Sequence, residues 1–468
     1  MVLLQWYLSN SLFYIDSCLS LSFHIIFSSG TGIKGTCVAP SFTPEQINLQ
    51  LAESSVLVVS FVTYEGIHPS TKPPVATLAK EGGPAVQVDG VSHLYLDSVN
   101  KRNYTMHFVR FSGLAPRTNY TYKVKSGADV GVWSREYTFR SLYDTGVSSV
   151  AIYGDMGAHR HNNMGNLRED CRAGRIDALV HMGDHAYNLD NSADRHGDAY
   201  MNAFEPTLAT CPWLPVIGNH ESYLGPRGDV VGHDVTERYL NQTWGVAYGQ
   251  QDTATSALGS LLTKGTYYGM GSHGANPSGT SRYNSIDVGL FHIVGLDLDP
   301  GPNGGGPGWA LWNSTADDGT GGSAQGVWLE ADLAAAAKNR ERVPWIIVTS
   351  HFPLVHTMLR ENAATSAKHY VGDEGEDSVD GSDTEHHFAE CKSEDPGCYT
   401  VGELVQAQQA LIPLMEKYGV DVYDAGHVHS YEVSWPQKAG KTTAESYDKP
   451  EGIVYITEGH NTNPNPKP

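Results

Sequence analysis

Residues 420–435 read VDVYDAGHVHSYEVSW, an apolar run that ends on Gly426 and then sets His427 and His429 two residues apart. The run has the length and apolar character of a buried strand, and the glycine marks its end. Two imidazoles at a strand mouth are an ordinary loop feature when they stand alone. They become a site only if other strands deliver partners to the same edge.

Five further stretches have the same apolar character. SSVAIYGD, IDALVHMGD, WLPVIGNHE, LFHIVGLDLD and VPWIIVTSHFP are apolar runs of strand length. Between some of them lie helix-like segments, GVWLEADLAAAAKNRERV and LVQAQQALIPLMEKYG. Apolar runs alternating with helices predict an α/β sheet buried on both faces. Such sheets gather ligands at the carboxyl ends of their strands. There the chain places Asp155 in YGDMG, Asp184 and Tyr187 in MGDHAYN, Asn219 and His220 in IGNHE, and His351 in VTSHFP. One such dipeptide is usually a turn or a cap. Five at corresponding strand ends indicate a common site.

Ahead of this region, residues 37–142 carry the signals of short strands. SSVLVVSFVTYE is β-branched, AVQVDG and SHLYLDSV alternate, and YTMHFVRFSGLAPRTNYTYKVKSG reads as two strands around a turn. A β-sandwich is expected. GLAPRTNYTYKV resembles the corner of a fibronectin type III domain, where a tyrosine ties a loop to its own backbone. The catalytic region is then expected over 146–468. The first 36 residues are apolar but lack a basic start and are interrupted by Asp16, so they are read as a signal or a poorly ordered N-terminus outside the fold. No segment predicts a membrane span.

At 468 residues the chain exceeds what one hydrophobic core usually serves. A formal charge of −21 argues against a surface that binds nucleic acid through phosphate contacts. It also means that an anionic substrate needs a local positive centre, which a metal supplies. The six cysteines form no C-x-x-C pair, and Cys391 and Cys398 bracket a short loop that a disulfide would close. Four N-x-[ST] sequons, at Asn103, Asn119, Asn241 and Asn313, also favour the secretory route, and so a secreted or vacuolar glycoprotein. Two long segments, one rich in glycine after Leu298 and one acidic after Met358, read as loops.

The order GDMG, GDHAY, GNHE, VTSH, GHVH resembles the purple acid phosphatases of the calcineurin-like metallophosphoesterase superfamily. The sandwich ahead of the site is similar to that of the plant-type, high-molecular-weight members. Tyr187, three residues after Asp184, is the most diagnostic feature. The resemblance implies a ferric ion held by Asp155, Asp184, Tyr187 and His429, and a divalent ion (Fe, Zn or Mn) held by Asn219, His351 and His427, with Asp184 bridging. Hard Fe(III) suits anionic oxygen donors and the divalent ion suits neutral ones. The implied reaction is hydrolysis of phosphate monoesters by water activated on the two cations. His220 is implied to stabilise the transition state or protonate the leaving group.

Some positions depart from the family. Where plant-type members carry substrate histidines after the VxxH ligand, this chain has Arg360 and Glu361, and His356 is the nearest replacement. His386 and His387 fall in the acidic loop and are read as solvated, and His185 as structural. The chain stops where the family continues with more strand, and the resemblance leaves room for a homodimer. The alternatives are a phosphodiesterase or nucleotide pyrophosphatase on the same metals, and a catalytically silent secreted binding protein.

Overall fold

Each of the apolar runs becomes a strand. The computed structural model describes residues 41–218, 283–298, 324–356 and 401–459, leaving aside 54, 65–69, 71, 97–102, 144–145, 158–163, 186–194 and 449–450. The N-terminal strands are β1 (Ser41–Glu53), β2 (Val56–Tyr64), β3 (Val75–Lys80), β4 (Ala85–Asp89), β5 (Val91–Leu96), β6 (Asn103–Phe111), β7 (Asn119–Lys125) and β8 (Tyr137–Arg140). There follow β9 (Val150–Tyr153), β10 (Ala178–Met182), β11 (Trp213–Val216), β12 (Asn284–Val288), β13 (Phe291–Leu296), β14 (Trp345–Ser350) and β15 (Val422–Ala425). The last are β16 (Tyr431–Val433), β17 (Gln437–Lys438), β18 (Lys441–Thr442) and β19 (Val454–Glu458). The helices among the described residues are α1 (Met164–Arg172), α2 (Arg195–Leu208), α3 (Ala324–Lys338) and α4 (Val401–Tyr418).

The sandwich packs β5-β6-β2-β1 against the antiparallel sheet β4-β3-β7-β8. Alternation decides the facing: Tyr120, Tyr122 and Val124 of β7 are buried, while the residues between them are half exposed. Phe61, Phe111, Tyr122 and Phe139 fill the space between the layers. At the corner before β7 the Ala115 N–H donates to Tyr120 Oη at 2.8 Å, so a tyrosine does tie this loop to its backbone.

The α/β region is built from two sheets with helices outside. β9, β10 and β11 run parallel, and so do β13, β14, β15 and β19, with β12 and β16 added antiparallel at the two edges of the second sheet. Val180, Met182, Val216, Ile286 and Ile293 meet between the sheets. α1 and α2 cover the outer face of β9–β11 through Leu167, Tyr200, Phe204 and Trp213. α3 and α4 cover the other sheet through Leu329, Leu333, Leu411 and Met415.

The sequence did not reveal that β1 and β11 would pair. They run parallel at Gln50 and Trp213, so one seven-stranded sheet, β5-β6-β2-β1-β11-β10-β9, runs from the sandwich into the α/β region. The Tyr122 hydroxyl donates to Ala209 O at 2.7 Å and Arg140 pairs with Asp177 at 2.9 Å across the same junction. A disulfide joins Cys171, in the last turn of α1, to Cys211 ahead of β11. The Cys391–Cys398 pair lies outside the described residues.

One buried ionic cluster clamps α3 to the β12–β13 hairpin. His292 Nδ1 lies 2.8 Å from Asp287 Oδ1 and its Nε2 lies 2.9 Å from Asp332 Oδ2. Arg342 donates to Asp287 and Ser285 to Asp332. Burial alone would lower the His292 pKa, but the hydrogen bonds to the two carboxylates and their charges outweigh it and raise the value to about 9. The folded pKa thus lies above that of an unfolded histidine. The stabilisation is complete below ~6.5 and is lost as pH climbs through 9. We expect the melting temperature of the wild type to fall over that window by the equivalent of roughly 3 kcal/mol more than that of His292→Gln. Parallel melting curves for the two proteins from pH 6 to 9.5 would contradict a charged clamp.

Candidate metal centre

The ends of four strands converge at one edge of the two sheets. Asp155 follows β9, Asp184 follows β10, His351 follows β14, and His427 and His429 follow β15. Three of these residues turn the chain through the left-handed region: φ is 56° at Asp155, 50° at Asp184 and 65° at His427. Non-glycine residues adopt it uncommonly, aspartate and histidine more readily than most, and such turns concentrate where a side chain must be aimed.

Glycines make the close approach possible. A Cβ on Gly426 would stand 2.4 Å from Asp155 Oδ2, and one on Gly218 would stand 2.4 Å from Asp184 Oδ1. Each carboxylate therefore occupies space that any other residue at these positions would fill.

The convergent groups hold one another in place. Asp155 Oδ2 accepts from the His427 backbone N–H at 2.9 Å, and Oδ1 lies 3.2 Å from His429 Nε2. His351 Nε2 lies 3.2 Å from Asp184 Oδ2, while its Nδ1 lies 2.8 Å from Met182 O. A carbonyl only accepts, so Nδ1 carries the hydrogen and Nε2 is the atom presented to the site. The rings of His351 and His427 meet edge to face, with centroids 5.0 Å apart.

Donor set and charge both fit a metal. Asp184, His351 and His427 are buried, and each offers a ligand atom within 4.8 Å of the other two. Burial works to lower the His351 pKa, yet the charges of Asp184 and Asp155, with the hydrogen bonds to Asp184 and Met182, raise it to about 10. The pocket collects positive charge, which a proton or a metal cation can supply. The Nδ1–H to carbonyl bond of His351 is the support that fixes ring orientation in metal-binding histidines.

Of the expected site residues, the fold brings Asp155, Asp184, His351, His427 and His429 together. Tyr187, Asn219 and His220 lie outside the described residues, as do Arg360, Glu361, His386 and His387. His356 is buried against the segment that follows His429, with Nε2 3.4 Å from Ser430 Oγ and 3.6 Å from Glu432 Oε2. His185 packs among His181, Tyr200 and Trp213 on the helix-covered side of β10. Sequence reading missed the Met182 carbonyl and the role of Gly218 and Gly426. The glycine directly before Asp155, Asp184, Asn219 and His427 was the available signal.

Comparison with known proteins gives a consistent placement. Residues 44–141 match the purple acid phosphatase N-terminal domain, and residues 148–431 match the calcineurin-like phosphoesterases. The chain is 27% identical to human acid phosphatase type 7 over 451 residues, which are 94% of this chain and 82% of the human one. It is 23% identical to purple acid phosphatase 21 of Arabidopsis thaliana, over 91% of this chain and 72% of that one. Among solved structures it is similar to a purple acid phosphatase from yellow lupin seeds, with a TM-score of 0.59 at 18% identity, covering 89% of this chain and 64% of the lupin chain.

Gly426→Ala tests the cradle. The added methyl must push the Asp155 carboxylate aside, so metal affinity measured by competition with a chelator should fall about 10-fold or more. Asp155 would be shown not to depend on this glycine if the variant kept wild-type affinity.

Proposed function

Because this chain belongs to the calcineurin-like phosphoesterases and carries the N-terminal domain of the purple acid phosphatases, we propose that it is a metal-dependent acid phosphatase acting on phosphate monoesters. The observation that carries this reading is the convergence of Asp184, His351 and His427 at the ends of β10, β14 and β15, with Asp155 and His429 beside them. Two bound cations would supply Lewis acidity, offset the charge of the phosphate and make a water nucleophilic in mild acid.

The chain's own residues divide the remaining work. We assign Asp155, Tyr187 and His429 to a ferric ion, Asn219, His351 and His427 to a divalent Fe, Zn or Mn ion, and Asp184 to both. A carboxylate between two cations offsets their repulsion. Asp155 also fixes the turn that presents both histidines, through the His427 N–H. His220 is assigned to the phosphoryl oxygens and to the proton that the leaving oxygen needs. His356 is assigned to the substrate side of the same segment, held by Ser430 and Glu432.

A secretory location is part of the proposal. The Cys171–Cys211 disulfide and the exposed Asn119 sequon support it. No helix among the described residues is long and apolar enough to cross a membrane. The acidic net charge speaks against nucleic acid as a partner.

Purified protein should hydrolyse p-nitrophenyl phosphate fastest in mild acid and carry two metals per chain by elemental analysis. One metal or none in an active preparation would overturn the binuclear reading. The oxidised protein should be violet, and Tyr187→Phe should lose that band; an unchanged band removes Tyr187 from the iron. His220→Ala should keep both metals and lose roughly 10²–10³-fold in turnover. Its loss should be greater on an alkyl phosphate, whose leaving group needs a proton more, and equal losses would restrict His220 to the phosphoryl oxygens. Asp184→Asn should lose more metal than Asn219→Asp.

A further inference from the structure

Below the ligand layer, a row of polar side chains crosses the six-stranded sheet. Asn284 of β12 stands opposite Gly295 of β13, Gly295 beside Thr349 of β14, and Thr349 beside Asp424 of β15. Residues in register on neighbouring strands point to one face. That face is the inner one: a Cβ on Gly295 would stand 3.1 Å from Val216 Cγ2 of the opposite sheet and 3.4 Å from Asn284 Oδ1. The Asn284 amide therefore leans over the missing side chain of Gly295. Two residues further along β14 and β15 come His351 and Gly426, and Gly426 abuts both Asp155 and His351. The row is the floor of the metal centre.

These groups are deeply buried, with 2% of Asn284, 0% of Thr349 and 5% of Asp424 exposed. Asn284 Oδ1 and Nδ2, Thr349 Oγ1 and Asp424 Oδ1 have no hydrogen-bond partner among the described residues. Buried polar atoms are nearly always hydrogen-bonded, and where protein groups do not serve, fixed water does. Four such atoms in one line, around a position without a side chain, form a connected lining and not four accidents. Three oxygens and one N–H₂ are too few for Ca²⁺ or Mg²⁺, which take six or more oxygens. They suit water, which needs both donors and acceptors.

We propose that Asn284, Thr349 and Asp424 are a built site for ordered internal water in the floor of the metal centre. Burial and the neighbouring Glu458 hold the Asp424 pKa well above the usual carboxylate range, which favours the uncharged carboxyl in this row. Water in this position is a set of dipoles that reorient beneath cations. It lowers the cost of gathering positive charge inside a protein. That purpose rests on the metal-centre reading; the existence of the site does not.

Thr349→Val keeps the shape of the side chain and removes only the hydroxyl. If water fills the row, valine deprives it of a partner and the melting temperature falls by about 2 °C. If the row is dry, valine removes an unsatisfied group and the melting temperature rises, which overturns the proposal. A crystal structure of the full chain should show water within hydrogen-bond reach of Thr349 Oγ1 and of Asn284 or Asp424. A map in which these side chains instead bond one another overturns it too. Both measurements can be made without activity, so a dry row would leave the metal-centre reading untouched. For the purpose, Thr349→Val should also bind zinc about 10-fold more weakly in chelator competition. Unchanged zinc affinity in a variant that has lost the water would separate the floor from the ions.

Discussion

The carboxylate of Asp155 is the contact on which the rest of the site depends. It sits at the end of the first parallel strand of one sheet and takes hold of the His427 backbone and the His429 ring at the end of the other. Without it the two sheets would still share an apolar core and the contacts of His351 with Asp184 and Met182, but the end of β9 would lose its link to the turn that presents both histidines after β15. The same carboxylate needs Gly426 beneath it and a left-handed backbone at its own position. Two kinds of cost, a strained turn and a missing side chain, are thus accepted at one point. The hydrophobic packing between the sheets supplies the stability that offsets them.

The electrostatics of the region follow from this crowding. Two aspartates and three largely buried histidines meet here, and the raised pKa of His351 reflects the negative charge of Asp184 and Asp155. The clamp at His292 uses the same chemistry to a different end. There two carboxylates face one imidazole, Arg342 supplies a second positive group, and the cluster is complete in itself. One cluster closes on its own charges and is structural. The other has the donor set to take a cation and is the candidate site.

The α/β region and its candidate ligand edge were legible because most of its strands are short apolar runs that stop at a metal-capable residue, preceded by glycine at Asp155, Asp184 and His427 and by serine at His351. Asp155, Asp184, His351, His427 and His429 could be picked out from that pattern alone. The sandwich was legible from alternation, and its corner from GLAPRTNY. Contacts between ends far apart in sequence were not. Periodicity says which face of a strand is buried and nothing about which edge it joins, so the β1–β11 pairing was invisible. Cys171 and Cys211 meet because α1 and the start of β11 pack side by side, which cysteine spacing does not announce. The polar row at Asn284, Thr349 and Asp424 was hidden for a related reason. Each member looks like an ordinary residue in its own strand, and only the register aligns them.

The shared seven-stranded sheet has a consequence for how this protein could be divided. β11 meets β10 on one side and β1 on the other. A catalytic fragment beginning after the sandwich would therefore start life with an open strand edge of unpaired N–H and C=O groups. It would also expose the apolar residues that β7 and β8 now cover. Such an edge is a template for other chains. The N-terminal sandwich thus acts as a built-in guard against self-association, and a catalytic fragment made without it would tend to aggregate whatever the quality of its active site.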